Sequence, residues 1–503
     1  MKIKYLFGLA LATLLVTSCS ENLMDEINED ETLKTADRVG AKFQLTDAEV
    51  ATAYSVVNGS YAWYVSSYTE QLFGTGNNQL KNVEVRNVAE MAGATTFNNE
   101  WNATYSNLMN LKQMIDKCSE GGMDADKKDL LGMAQILYAL NWGILTDLHG
   151  DIPFSECFSD VSAPKVDKQE DIYKAIFKLL DDAQANLAAG GSHAGGQDLV
   201  YGGDTDLWAA FGHAVKARYL LHTYGRDNSV LADVVAEAQA AIDGGFQGFA
   251  IDAFNGVTAD NSWSAYHWSR YYIGTTTTVS NLMEARQDPR LAIYNNDACW
   301  KLEGYDPTGI TAQPGDQNLA KETKYCNFPL WLENGAAPLN IFSEAELYFI
   351  LAEAQARLGQ DATDAFVEGV TASQNYYYAI GGEFVGMSVT DSDIQAYLAN
   401  IAPLFTANPL QEILIEKYLA QAATEQIETY NDIRRIRYCD GTYPVTLTNP
   451  NNTSSVGNRW PLRLPYGDSD VVSNPNVAAL FGTGNESGMY IFTENVWWAG
   501  GSR

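Results

Sequence analysis

Ser343-Glu344-Ala345-Glu346-Leu347-Tyr348-Phe349-Ile350-Leu351-Ala352-Glu353-Ala354-Gln355-Ala356-Arg357-Leu358-Gly359 reads as one helix with both ends marked. Ser343 and Glu346 have the spacing of a capping box, in which hydroxyl and carboxylate each satisfy the other residue's backbone N–H. Ala345, Leu347, Tyr348, Leu351, Ala352 and Ala356 recur at helical spacing. Gly359 suits the left-handed turn past the last carbonyls. Residues 352–358 and 236–242 are rich in small side chains, and a glycine turn follows each. Small faces let helices approach closely, so the pattern predicts antiparallel helix pairs of the tetratricopeptide sort, although the strict ~34-residue signature is absent. Thr46-x-x-Glu49 predicts a second capped helix running to about residue 67. Segments 126–148, 168–187, 205–224, 229–243, 409–423 and 424–437 carry the same period. The fold class is therefore all-α: tetratricopeptide-like helix pairs forming a scaffold with long loop-rich decorations over 250–272, 300–339 and 440–503. Loops that long carry function more often than fold.

The chain has 503 residues, 46% of them hydrophobic, enough for a large core; a soft length prior alone would allow roughly three domains. Its formal charge of −31 comes from 63 acidic against 32 basic side chains. Such a field repels phosphate backbones and anionic lipid, which argues against a nucleic-acid partner and favours a neutral ligand. The six cysteines are Cys19, Cys118, Cys157, Cys299, Cys326 and Cys439, with no C-x-x-C pair. That pattern is neither a disulfide framework nor a zinc site; Cys299 and Cys326 either pair across a loop or stay as buried thiols. Five scattered histidines, none at ligand spacing with another, argue against a His-based metal site. No cofactor is expected.

At the amino end, Lys2 and Lys4 precede an apolar run over residues 6–15 that closes on Val16-Thr17-Ser18-Cys19. The run is too short for a bilayer span, which needs ~20 apolar residues, and reads as a signal peptide. A branched residue and two small ones before a cysteine form a lipobox, so Cys19 is the expected lipidation site; the alternative is an ordinary signal peptide with a chance cysteine. The expected organisation is residues 1–18 as signal peptide, 19–40 as an acidic flexible tether, and 41–503 as a single helical domain with a loop-rich ligand face. The membrane would be met through the lipid anchor only.

Thr146-Asp147-Leu148-His149-Gly150-Asp151-Ile152-Pro153-Phe154-Ser155-Glu156 resembles the T-D-x-x-G-D-[IV]-P-[YF]-S-E signature of SusD/RagB-like nutrient-binding lipoproteins. Ile172-Tyr173 to Leu187, Ala210 to Leu221 and Asp288-Pro289-Arg290-Leu291 resemble the family's next elements in order. So do Ser343 to Ala356, Glu428 to Arg435, Arg463-Leu464-Pro465-Tyr466 and Asn474-Pro475, with Tyr430 where tryptophan is commoner. The resemblance covers most of the chain after residue 50 and points to members remote from the starch-binding founder. It implies a tetratricopeptide-like helical fold, a loop-built ligand face and an outer-membrane location facing the cell exterior. It also implies a partner, a SusC-like TonB-dependent transporter, to which a captured glycan or oligosaccharide is delivered.

The same motifs have physical readings. Gly150 permits a left-handed bend and Pro153 fixes the exit direction. Asp147 and Asp151 are expected to cap backbone donors rather than act as acid and base. Arg434 and Arg435, beside Asp432 and Glu428, predict a partly buried ion-pair network, and Trp497-Trp498 predict an anchor for the carboxyl end. None of these is expected to be catalytic.

Sugars present apolar C–H faces on which aromatic rings stack, with amides and carboxylates meeting the hydroxyls. The densest aromatic segment, read as a loop, holds Trp263, Tyr266, Trp268, Tyr271 and Tyr272, and these are the first candidate ligand-binding residues. Phe73 and Asn77, in a polar Gly-rich loop after the first helix, and Trp331 in another loop complete the set. The expected function is binding without turnover. A surface glycoside hydrolase, which would need two carboxylates roughly 5–10 Å apart, a peptide-binding relative and a scaffold for protein partners remain as alternatives. Residues 198–206 are acidic enough for calcium but match no coordination motif.

Overall fold

The computed structural model describes residues 39–74, 79–270, 273–295, 328–448 and 460–503. Cys19 and its tether, Asn77, Tyr271, Tyr272, Cys299 and Cys326 lie outside the described residues. The chain divides into a leading unit, Met1–Gly40, and a body, Ala41–Arg503, which carries all the described helices.

The body is all-α, built on tetratricopeptide-like helix pairs. Its helices of nine or more described residues are α1 (Lys42–Ala51), α2 (Ser60–Tyr68), α3 (Asn98–Cys118), α4 (Lys128–His149), α5 (Gln169–Leu187), α6 (Thr205–Thr223) and α7 (Leu231–Asp243). They continue with α8 (Ser262–Arg270), α9 (Thr277–Arg286), α10 (Glu344–Arg357), α11 (Thr363–Gly381), α12 (Asp391–Ala407), α13 (Pro409–Gln421) and α14 (Gln426–Asp440). Helices α3 to α7 stack in succession, α10 packs on α7, and α11 packs on α10. Three two-stranded antiparallel pairs stitch the loops: β1 (Phe73–Gly74) with β5 (Ile273–Gly274), β2 (Ile152–Pro153) with β3 (Val166–Asp167), and β4 (Phe249–Ile251) with β6 (Leu339–Phe342). None of the described helices is long and apolar enough to cross a membrane.

Glycine lets helices of the stack cross close to one another. Gly132 near the start of α4 lies against Leu187 at the end of α5, and Gly244 just past α7 lies against Ala210 near the start of α6. The closest crossing is at Gly143, where an added Cβ would fall 2.1 Å from the Tyr219 hydroxyl oxygen. That hydroxyl donates to the Leu140 carbonyl at 2.9 Å, so the ring has no free direction. Gly143→Ala is expected to cost about 1–3 kcal/mol through overpacking, read as a lower urea midpoint, with most of the loss recovered in Gly143→Ala/Tyr219→Leu. An unchanged midpoint in the single variant would show that the ring yields without cost.

The caps depart from the sequence pattern. Thr46 lies inside α1, which starts at Lys42, and its hydroxyl donates to the Gln197 carbonyl; Glu49 is buried and accepts from the Leu199 N–H. No capping box forms there, because tertiary partners claim both side chains. At Ser343 half of the box is present: its hydroxyl accepts from the Glu346 N–H, while the Ser343 N–H donates to Glu425 at 2.7 Å. Glu346 is released from capping and pairs with Arg218 instead. Gly150 has φ +81°, with the Arg463 guanidinium where a side chain would sit. Asp151 caps α5 through the Gln169 N–H and also takes Lys168.

Charged side chains occupy the seams where helices meet. Arg218 of α6 forks onto Glu346, lies 3.6 Å from Glu425, and covers the Phe342 ring at 3.8 Å. Arg435 pairs with Glu353 and Asp432, the latter also with Lys417. Arg290 pairs with Asp288 and Glu416. This network is fully buried rather than partly so, and it is worth its desolvation only because every fork is bidentate or shared. His222 bridges Asp147 (3.2 Å) and Glu428 (3.0 Å) through its two ring nitrogens. Burial pulls its pKa down, but the two carboxylates outweigh burial and hold it up at about 8. Asp147, His222 and Glu428 bring metal-ligand atoms within 4.8 Å of one another. With both ring nitrogens turned to carboxylates, an imidazolium supplies the positive charge that a metal would. Asp147 also accepts from the Tyr173 hydroxyl and from Trp498 Nε1, side chains rather than the backbone donors expected of it. Trp498 is thereby the anchor that the sequence suggests. Cys118, Cys157 and Cys439 are free thiols.

Candidate functional site

The aromatic segment after residue 260 is a helix, α8, and not the loop its mixed composition suggests. Asn261 starts it: its Oδ1 accepts from the Ser264 N–H, and its Nδ2 donates to the carbonyls of Asn334 and Ala337, fixing the turn opposite. Asn58, at the end of the first helical run, holds the other side. Ser262 donates to its carbonyl and Trp263 Nε1 to its Oδ1 at 3.1 Å. Trp263 and His267 therefore face inward and Trp268 faces out.

Trp268 is 55% exposed, a large indole on a helix otherwise locked to the scaffold. Tyr266 is half-buried and stacks on Trp63 of α2, ring centroids 4.1 Å apart and planes 19° from parallel. Trp263, 4% exposed, meets the same Trp63 edge-on at 6.4 Å. Beside the stack, the Tyr64 hydroxyl donates to Glu90, whose carboxyl burial pushes up. Tyr54 and Phe254 form a second aromatic pair at 6.1 Å, and Tyr54 is near enough to Asp260 to feel its charge. Flat rings beside amides and carboxylates offer stacking together with hydroxyl recognition.

The candidates from the sequence part company here. Trp263, Tyr266 and Trp268 share one helix, with Trp268 outward and Tyr266 at the rim. Phe73 is fully buried, its strand β1 paired to β5 directly after the aromatic segment, so the two loops read as separate candidates are one joined structure. Trp331 is 3% exposed, packed at 5.5 Å against Tyr377, and with Trp263 it lines a small internal chamber. Trp63 was missed. It lies about two hundred residues from α8 in a segment whose helical spacing marks it as core. The acidic stretch at 198–206 is already occupied: Asp198 accepts from the N–H groups of Val200, Tyr201 and Gly203 and from Trp208 Nε1, and Asp204 caps α6.

A family model described as starch-binding and associating with the outer membrane matches residues 15–467. The chain belongs to the SusD-like family. Among solved structures, this SusD-like chain is similar to a SusD/RagB family protein from Bacteroides thetaiotaomicron at 33% identity, covering 92% of this chain and 100% of that one, with a TM-score of 0.82. It shares its fold with a SusD homolog from Bacteroides fragilis (18% identity, 92% and 100% covered, TM-score 0.72). It also shares it with a chitin-binding SusD homolog from Flavobacterium johnsoniae (18% identity, 91% and 98% covered, TM-score 0.67). No curated protein matches the chain. Carbohydrate or nutrient binding is the activity that goes with SusD-like proteins.

Proposed function

We propose that this SusD-like protein captures a neutral glycan at α8, with the exposed Trp268 as the stacking ring, and passes it to a SusC-like TonB-dependent outer-membrane transporter. It does so without chemical turnover, held at the cell surface by a lipid on Cys19. The observation that carries the reading is Trp268: an indole left in water at the tip of a helix that Asn58 and Asn261 hold in place. A helix held in place presents its indole to a sugar without ordering the backbone behind it. The chain's net charge of −31 favours a neutral ligand, and the chitin-binding relative supports a glycan.

Affinity electrophoresis of the full chain, through native gels containing starch, soluble chitin derivatives and other polysaccharides, tests this. Retardation by one glycan is expected, with no sugar released into solution. Trp268→Ala should weaken the retardation by roughly tenfold or more and leave the thermal midpoint unchanged, since the ring is 55% exposed and packs on no core residue among those described. Sugar release would make the protein a hydrolase. Retardation by no glycan would move the ligand to peptides, and retardation unchanged by Trp268→Ala would remove this face.

A further inference from the structure

A second recess lies away from the Trp268 rim, between β6, the first turn of α10, and α11. It is a cleft of about 260 Å³ whose floor is made of Ala345, Ala372 and Ala420. Small side chains at three facing positions leave the space open. Three of the polar side chains around it are unspent, while Ser343, Ser373 and Thr424 are hydrogen-bonded. Asn340 is only 6% exposed, yet its side-chain amide has no hydrogen-bond partner among the described residues; only its backbone carbonyl is used, by Asn58. The Tyr376 hydroxyl and the Glu344 carboxylate also lack partners there, and burial, then Glu368, raises the Glu344 pKa. Past Asn340 and Tyr376 the cleft adjoins the chamber of about 20 Å³ on which Trp331 and Trp263 border, room for a single water. Trp331 Nε1 is buried with no partner among the described residues.

Asn340, Tyr376 and Glu344 face one cleft with no protein partner among the described residues and meet water there, and only Trp331 Nε1, beyond it, is fully buried without one. A ligand that donates and accepts at once can take the place of that water. Hydroxyl groups do both. The cleft is smaller than the ~300–1,000 Å³ of drug-sized pockets, which suits one ring rather than a chain. Its described lining carries a carboxylate and no Lys, Arg or His, which rejects anions.

We propose that this cleft is a second binding site, which takes a single uncharged sugar ring between Asn340, Tyr376 and Glu344. The carboxylate accepts from a pair of neighbouring hydroxyls, the Asn340 amide donates and accepts beside them, and Tyr376 closes the ring's edge. The site is independent of the Trp268 face, and the two can fail separately.

Saturation-transfer NMR and calorimetry on the full chain, with glucose, galactose, mannose, N-acetylglucosamine and glucuronate as probes, test the assignment. At least one uncharged monosaccharide should bind, and glucuronate should not. Tyr376→Phe and Glu344→Gln should each weaken binding about fivefold or more, the size of one lost hydrogen bond, and Asn340→Leu should abolish it by filling the cleft. Trp268→Ala should leave monosaccharide binding intact. If Asn340→Leu does not fold, the two milder variants decide. Binding of no monosaccharide, equal binding of glucuronate, or binding that survives the cleft variants and disappears with Trp268→Ala would overturn the proposal.

Discussion

Arg218→Ala is expected to lower the unfolding free energy by about 3–5 kcal/mol, the cost of removing one partner from a buried ion pair. Arg218 holds Glu346 through two guanidinium nitrogens and also stands close to Glu425 and Glu428. Glu425 keeps the Ser343 N–H and hydroxyl, and Glu428 keeps His222. Glu346 loses both of its guanidinium bonds and Glu425 loses its nearest cation. Arg218→Lys keeps a charge but loses the fork and should fall between wild type and alanine. Arg218→Met/Glu346→Leu should recover much of the loss, because replacing both members of a buried pair by apolar groups is often neutral. Urea denaturation of the four proteins gives the answer. A double variant as unstable as Arg218→Ala would show that the stability comes from Arg218 packing on Phe342.

Stability should fall as pH rises from about 6.5 to 9, with Glu49 as the main cause; below 6.5 buried His149, whose pKa burial pulls down to about 3, works against it. Burial first, and then the Asp198 carboxylate, push the Glu49 pKa up to about 9 from an ordinary 4.5. Across that window the folded protein keeps a proton that the unfolded chain has released. Raising the pH therefore favours unfolding, by up to ~1.4 kcal/mol per pH unit from this group. His222 adds to it: its folded pKa of about 8 lies above the ordinary 6.5, so its stabilisation is complete below 6.5 and disappears as pH passes through 8. Glu428 works in the opposite sense but at a separate pH. Burial raises it, Arg218 and His222 outweigh that and hold it near 2, and its share is lost only below about 4.5. Glu49→Gln, which keeps the shape and removes the titration, should flatten the profile above about pH 6.5. Urea midpoints at pH 7 and 9 for both proteins test this, and a wild-type midpoint that rises with pH would refute it.

Much of the scaffold could be read in the sequence. The run from Ser343 to Gly359 specifies a helix at every level, by cap, period and exit, and the structure adds only that Glu346 is diverted to Arg218. The bend at Gly150 was equally legible, since a positive φ with an arginine behind it leaves glycine as the residue that fits. The Thr46 cap was not. Spacing cannot show that Gln197 and Leu199, some 150 residues on, take both side chains. The aromatic helix α8 was hidden for a related reason: one inward tryptophan, one outward and a tyrosine at the rim make no single stripe. Trp63, which completes the stack, comes from the first helical run. The cleft is invisible in one dimension, because alanines at 345, 372 and 420 surround a space only after three segments have come together.

The buried imidazolium clasp has a consequence for how the body is assembled. Asp147 receives Tyr173 and His222 from neighbouring helices, but Trp498 comes 351 residues later, and Trp460 Nε1 reaches back 392 residues to the Tyr68 carbonyl. A chain emerging from its amino end forms its helix pairs early, while Asp147 and His222 still lack their far partners. Contacts of such long range close late and slowly. Removal of the segment from residue 460 onward would therefore strip Asp147 and the Tyr68 carbonyl of these donors and leave both seams open.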